Sequence, residues 1–417
     1  MARYLVNPLF LYLAIWVSVT VSYVAGVNKA FFPAPTPRVY WAVGLSVATF
    51  VLGYLTWNLI RRTKTDPDRL YWSAAPVLSA KSLRRYLRIT LVFGLLAVAF
   101  CALRVVVLAR THEIDLLRLV TDSILWRETV TRPITPDMIG MRACTIAITV
   151  TCSIFSIGFV LLGILLYLGR DRWRYGTVTL FLLTALGVGL LSLARKEVTI
   201  NLAFLVLSYL FMHQHYRSRR TREVAMHLVV PAVALVILFL LVDILLQKGA
   251  NYDPAHRLRG FLLSIYWYIA SPVAAFSEFL KTHDGNWRLG ESVFLPIYKW
   301  LARAHLVPPP DAMSIMHMEK IYIPYMANVY TYLRNIYEDF GFVGLAVLPY
   351  LLGLLSAALR ARAGQSVPYL NFYLIVLIVI VFSFYDHLLI SNQYYLQAFF
   401  GYLLFRSRLP ETGADGL

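Results

Sequence analysis

Charge is scarce in this chain. Only 15% of its 417 residues are Asp, Glu, Lys or Arg, where a soluble domain carries about 25%. A water-soluble enzyme is thereby excluded. Cysteine is rarer still: Cys101, Cys144 and Cys152 all fall inside apolar segments, which leaves neither a disulfide framework nor a CxxC-type metal site. No Walker loop, GxGxxG turn, HExxH or GxSxG elbow occurs, so ATP-driven transport, nicotinamide chemistry, zinc proteolysis and α/β-hydrolase catalysis lack their marks. What is abundant is apolar and aromatic. Apolar residues make up 59% of the chain, with 9 Trp, 27 Tyr and 24 Phe, and the mean hydropathy is +0.64. Such a chain has lipid for its main solvent, with aromatic residues at the interfaces. The formal charge of +17 sits in short runs between apolar segments, so it reads as topology signals and not as a nucleic-acid surface.

A helix needs about 20 apolar residues to cross about 30 Å of hydrocarbon. Ten segments of that kind predict an all-α, polytopic membrane protein: Pro8–Val27, Tyr40–Ile60, Ile89–Ala109, Gly140–Leu168, Tyr175–Leu193, Val198–His213, Ala225–Leu246, Gly341–Leu359, Tyr369–Tyr385 and Asn392–Phe405. The first has a signal-peptide-like start at Arg3 but is long, and is expected to stay as an anchor. Residues 1–246 then form a first bundle of seven spans, 247–340 a large loop, and 341–417 a second bundle of three spans with a short tail. With the N-terminus inside, 20 of the 39 Lys and Arg fall on inside segments, as the positive-inside rule requires. Both termini are expected in the cytoplasm and the large loop outside.

The outer loops carry their own structure. Between Thr111 and Val130, Leu117, Val120 and Ile124 recur at helical spacing among charges, which predicts an interfacial helix. Phe261–Leu280 is apolar enough to span, yet a span there would move Arg360, Arg362, Arg406 and Arg408 outside. It is therefore expected as helices lying on or dipping into the outer leaflet, with Pro272 favouring a break. The tryptophans and tyrosines of the 247–340 loop argue against disorder.

Ionisable groups at membrane depth are costly, so each needs a function or an escape. Arg104 and Arg142 lie near outer helix ends and can snorkel; Asp243 lies one turn from the end of its span. Arg195, Lys196 and Glu197 sit in a turn too tight to carry them away from the protein, which points to a phosphorylated ligand or to lipid phosphate. Arg257, Arg259 and Arg334 belong to the large loop, and each alone reads more readily as a solvated charge. Glu338 and Asp339, just before Gly341, are either a helix N-terminal cap or catalytic carboxylates. Asp386 and His387 stand at another outer helix end, suited to proton transfer or to headgroup anchoring. Several Arg and Lys on one face suit a lipid-linked diphosphate, whose oxygens guanidinium groups bind in pairs, with aromatic faces for sugar rings.

The run NVYTYLRNIYEDFGFVGLAVLPYLLGLL, Asn328–Leu355, resembles the signature of bacterial oligosaccharide repeat unit polymerases, the Wzy-type O-antigen and capsule polymerases, through Asn328, Tyr330, Thr331, Tyr337, Asp339, Phe340, Gly341 and Gly344. Ile265–Leu280 resembles the family's aromatic-small-Pro-apolar segment, and LSLARKEVTINLAFLVL its short turn with Arg. The resemblance implies a fold similar to GT-C glycosyltransferases and transfer of an undecaprenyl-diphosphate-linked glycan to another lipid-linked repeat unit, on the outer face of the cytoplasmic membrane. It implies no cofactor, no metal and no nucleic acid; flippase and chain-length regulator proteins fit as partners beside the lipid bilayer. In the resemblance Arg195 matches the family's turn arginine and Asp339 its Asp-Phe-Gly acid. Asp339 and Glu338 are the expected catalytic residues, and Arg195 and Lys196 the expected diphosphate ligands, joined by Arg257, Arg259 and Arg334 as cations of the large loop that match no family motif. A glycan ligase using the same donor, and a flippase or other transporter, remain open as alternatives.

Overall fold

The computed structural model describes residues 6–29, 31–64, 78–115, 139–168, 173–192, 195–216, 257–283, 285, 287–310, 321–323, 326–327 and 330–405. These residues are helical apart from connections and one short antiparallel pairing, β1 (Ile321–Tyr322) with β2 (Met326–Ala327). The helices are α1 (Pro8–Asn28), α2 (Pro37–Lys64), α3 (Ala80–Thr111), α4 (Ile139–Leu168), α5 (Trp173–Ser192), α6 (Arg195–Tyr216), α7 (Arg257–Thr282), α8 (Leu295–Arg303), α9 (Tyr332–Arg362), α10 (Val367–Phe382) and α11 (Asn392–Leu404). Six of them are long and apolar enough to cross a membrane: α1, α2, α3, α4, α5 and α9. The chain is a helical membrane protein.

Local signals set where several helices start. Asn7 accepts the Leu9 amide at 3.1 Å ahead of Pro8, and Ser79 accepts that of Ser82 at 3.1 Å, each satisfying an amide that has no partner inside the helix. Ser366 does the same for α10, followed by Pro368 in the first turn. Of the other expected spans, the sixth falls on α6, a helix of 22 residues that is not among those six, and the last two are helices of 16 and 13 residues. The expected span Ala225–Leu246, most of the interfacial stretch Thr111–Val130, and the tail from Arg406 lie outside the described residues.

α4 is the central helix, buried over most of its apolar length. Ser208 of α6 donates to the Val160 carbonyl of α4 at 2.8 Å, and Phe155 and Phe159 of α4 pack on Phe181 of α5. α2 lies along α9 so closely that a side chain on Gly353 would come within 2.2 Å of the Phe50 carbonyl, and one on Gly53 within 2.0 Å of the Tyr350 carbonyl. Small residues at such crossings let backbones approach in lipid.

Two features matter for the site; the first departs from the sequence reading, and the second keeps its boundary at Gly341 but adds a short helix ahead of it. α7 runs unbroken through Pro272; residues 270–277 are all buried there, and packing outweighs the backbone bond that proline removes and its crowding of the carbonyl one turn back. It packs on α1, on the residue ahead of α2 and on the start of α9: Tyr266 donates to the Ser22 carbonyl at 2.7 Å, the Thr36 amide donates to Ser277 at 3.0 Å, and Phe276 lies against Tyr337. α9 is two helices joined at Gly341, whose φ of +61° and ψ of −148° break the helix. The first part, 332–340, is a short segment of its own, and the apolar span begins after it.

Candidate functional site

Every residue from Tyr332 to Asp339 is buried. A helical turn buried on all sides is ordinarily apolar, yet this one holds Arg334, Asn335, Glu338 and Asp339. Each such group needs a partner, because a charge removed from water is costly without one.

The carboxylates have theirs. Asp339 is 0% exposed and accepts the Ser292 amide at 3.0 Å and the Val293 amide at 2.6 Å. Glu338 faces Arg288 at 3.2 Å and accepts the Ser292 hydroxyl at 3.3 Å. Their carbonyls also accept the amides of Arg288 and Leu289. Together these bonds pin the turn 288–293 onto the first part of α9. The two acids thus hold the loop ahead of α8; the N-cap position of the first part of α9 is Thr331.

Arg334 is different. It is 4% exposed, with its guanidinium over the rings of Tyr330 at 4.0 Å and Phe279 at 4.7 Å. Its Nε has no hydrogen-bond partner, and no carboxylate pairs with it among the described residues. The sequence alone favours a solvated charge here; packing of α7 against the start of α9 encloses it instead. Beside it, His283 packs on Phe279 at 5.0 Å, Trp287 at 5.6 Å and Tyr337 at 5.6 Å. Trp287 covers Gly341, where an added Cβ would meet its ring at 2.5 Å.

A second polar group adjoins the first. Lys196, one residue into α6, is ion-paired with Asp386. Its neighbour Glu197 accepts from Gln393 at 2.9 Å, tying α6 to α11. His387 Nε2 bonds the Val293 carbonyl at 3.0 Å, and its ring lies over Tyr332 at 6.3 Å. Burial pushes the His387 imidazole down to about 4, against the opposing effects of the Val293 carbonyl and of Asp386. A continuous path therefore leads from Asp339 through Val293 to His387 and the Lys196–Asp386 pair. It joins the start of α6, the start of α9 and the α10–α11 connection at one end of the bundle.

Of the expected site residues, Lys196, Arg334, Glu338 and Asp339 converge there. Arg195 opens α6 and Arg257 opens α7; their side chains are outside the described part. Arg259 is exposed and is not brought to Arg334: on α7 it stands roughly 30 Å of helix from Phe279, at 1.5 Å per residue. Sequence reading missed Arg288, Ser292, His283 and Trp287. The only signal for them is the polar, turn-rich stretch THDGNWRLGES between two apolar segments. No family model matches the chain, and neither a curated protein nor a solved structure matches it.

Proposed function

We propose that the chain is a membrane glycosyltransferase that polymerises undecaprenyl-diphosphate-linked oligosaccharide repeat units, on the outer face of the cytoplasmic membrane. One observation carries the reading: Arg334 is buried between two rings and forms no ion pair with a carboxylate among the described residues, its neighbour one turn on, Glu338, being paired with Arg288. A guanidinium in that state lacks the charge that offsets its desolvation. A diphosphate supplies it through paired, charge-assisted hydrogen bonds. The resemblance of Asn328–Leu355 to repeat unit polymerases supports the same ligand. The proposal includes ten spans, an arrangement similar to GT-C enzymes, an outer loop and two cytoplasmic termini.

In this reading a hydroxyl of the acceptor sugar attacks C1 of the donor. The C1–O bond breaks, and its electron pair leaves with the carrier diphosphate, held by Arg334 and by Arg195 from the start of α6. Contacts that tighten as charge grows on the leaving group speed the reaction. The proton of the acceptor passes to Glu338, a general-base contribution of about 10²- to 10⁴-fold. Asp339, fully enclosed with both oxygens on backbone amides, is a positioning residue. Trp287, with Tyr337 and His283 beside it, offers a flat apolar face to a sugar ring. Lys196, held by Asp386, fixes the end of α6.

The test is purified protein in bilayers with lipid-linked repeat units, alone and with lipid A core or an acceptor protein added. Products of two or more units are expected. Glycan moved only to lipid A core or protein means a ligase, and unchanged units moved across the bilayer mean a transporter; either result overturns the proposal.

A further inference from the structure

The turn pinned by Glu338 and Asp339 leads directly into α8. Leu295 and Pro296 of that helix are buried, while Ile297, Trp300 and Leu301 are exposed. Leu289 before it and Leu306 after it are 76% and 71% exposed. Contiguous apolar surface of this kind marks a contact with another phase or molecule. Lys299 and Arg303 stand four residues apart on the same helix, and neither pairs with a carboxylate among the described residues. Burial, and then Arg303, lower the Lys299 amine below its usual range, so an anion beside the pair is favourable.

Continuity says what covers this surface. Beyond Gly341, α9 exposes Val343, Val347, Leu351 and Leu355, one row at four-residue spacing on a helix apolar enough to cross a membrane. That row faces lipid. It begins where Trp287 covers Gly341 and where the Leu289 amide donates to the Asp339 carbonyl at 3.2 Å. From there exposed apolar surface continues over Trp287 and Leu289 toward α8. A lipid-facing stripe that passes into a short amphipathic helix with a Trp and basic residues is the pattern of a helix lying in the headgroup layer.

We infer that α8, with Leu289 and Leu306, is seated in the bilayer leaflet beside the candidate site, and that Lys299 and Arg303 hold the phosphate of an acidic phospholipid. The apolar side lies at the acyl boundary, and the two basic chains reach up to the headgroups. The seat bears on the site because α8 starts two residues after Val293, which Asp339 and His387 hold from the other side. The inference is independent of glycosyl transfer.

The test uses the full chain in phosphatidylcholine nanodiscs with and without phosphatidylglycerol. Subtracting the emission of Trp300→Phe from that of the parent isolates Trp300. Lipids brominated near the glycerol end of the acyl chain are expected to quench that difference at least twofold, and aqueous iodide to leave it unchanged. The double variant Lys299→Glu with Arg303→Glu is expected to retain several-fold less phosphatidylglycerol by native mass spectrometry. Trp300 quenched by iodide and not by bromine overturns the inference. So does Trp300 insensitive to both, which means protein covers the face, or undiminished phosphatidylglycerol in the double variant. Trp300 and Arg303 are exposed and Lys299 is half-buried, so a thermal melt of the double variant that matches the parent's accompanies the lipid measurement and separates lost lipid from lost fold.

Discussion

Asp339 accepts the amide of Val293 at 2.6 Å across 46 positions of chain, and this bond sets how the loop before α8 sits on α9. Because the same carboxylate also takes the Ser292 amide, Asp339→Asn turns one acceptor oxygen into a donor facing an amide. Loss of one charge-assisted bond costs about 1.5–3 kcal/mol. The expected outcome is a lower melting temperature and lower membrane abundance, with polymerisation falling only in proportion to folded protein. Normal abundance with no polymer would instead make Asp339 the base.

Arg334 separates stability from function. Its charge is enclosed without a carboxylate partner among the described residues, so replacing it by an apolar chain of similar length relieves desolvation. Arg334→Met is expected to melt at or above the parent temperature while polymer length collapses to single units. Arg334→Lys keeps the charge but loses the planar fork and the stacking on Tyr330 and Phe279, and is expected to lose roughly 10²-fold, about 2.7 kcal/mol of transition-state stabilisation. A thermal melt and a gel ladder of products check both.

Gly341 is irreplaceable for two separate reasons. Its φ of +61° with ψ of −148° is backbone that only glycine visits easily, at a cost of about 1–3 kcal/mol for other residues. Its Cα also lies beneath Trp287. Gly341→Ala is expected to destabilise by that amount or more, and adding Trp287→Ala to relieve only the contact. Full rescue by the second change, in a melting series, would leave no role for the backbone.

The membrane helices were legible because their cause is local: runs of apolar residues bounded by charge, as in α1, α3 and α4. The break expected at Pro272 is absent because its lost backbone bond and its crowding of the carbonyl one turn back cost about 3 kcal/mol, which burial of the face around Ala274 and Phe276 outweighs. The site was only half legible. Glu338, Asp339 and Lys196 stood out as charges at helix ends, but their partners, Ser292, Arg288 and Asp386, lie tens to hundreds of positions away and carry no pattern that points back. Arg334 reads as a surface residue because only one of its two covering rings is near it in sequence: Tyr330 stands four residues back, but Phe279 comes from another helix.

His387 gives a pH test of the joint between α9, the 288–293 turn and the α10–α11 connection. In the folded chain its imidazole is buried on the Val293 carbonyl, near Asp386 and Lys196, and held down to about 4 from an ordinary 6.5. As pH falls from about 6.5 toward about 4, an unfolded chain binds a proton here that the folded chain refuses. The stability due to the neutral ring is thus complete above about 6.5, declines through that window, and is fully lost below about 4. His387→Gln keeps a donor for Val293 and removes the titration. The melting temperature of the parent is therefore expected to drop more steeply than that of the variant between those two pH values, and to run parallel above pH 7. Curves parallel throughout the window would mean that the imidazole takes up its proton without leaving Val293.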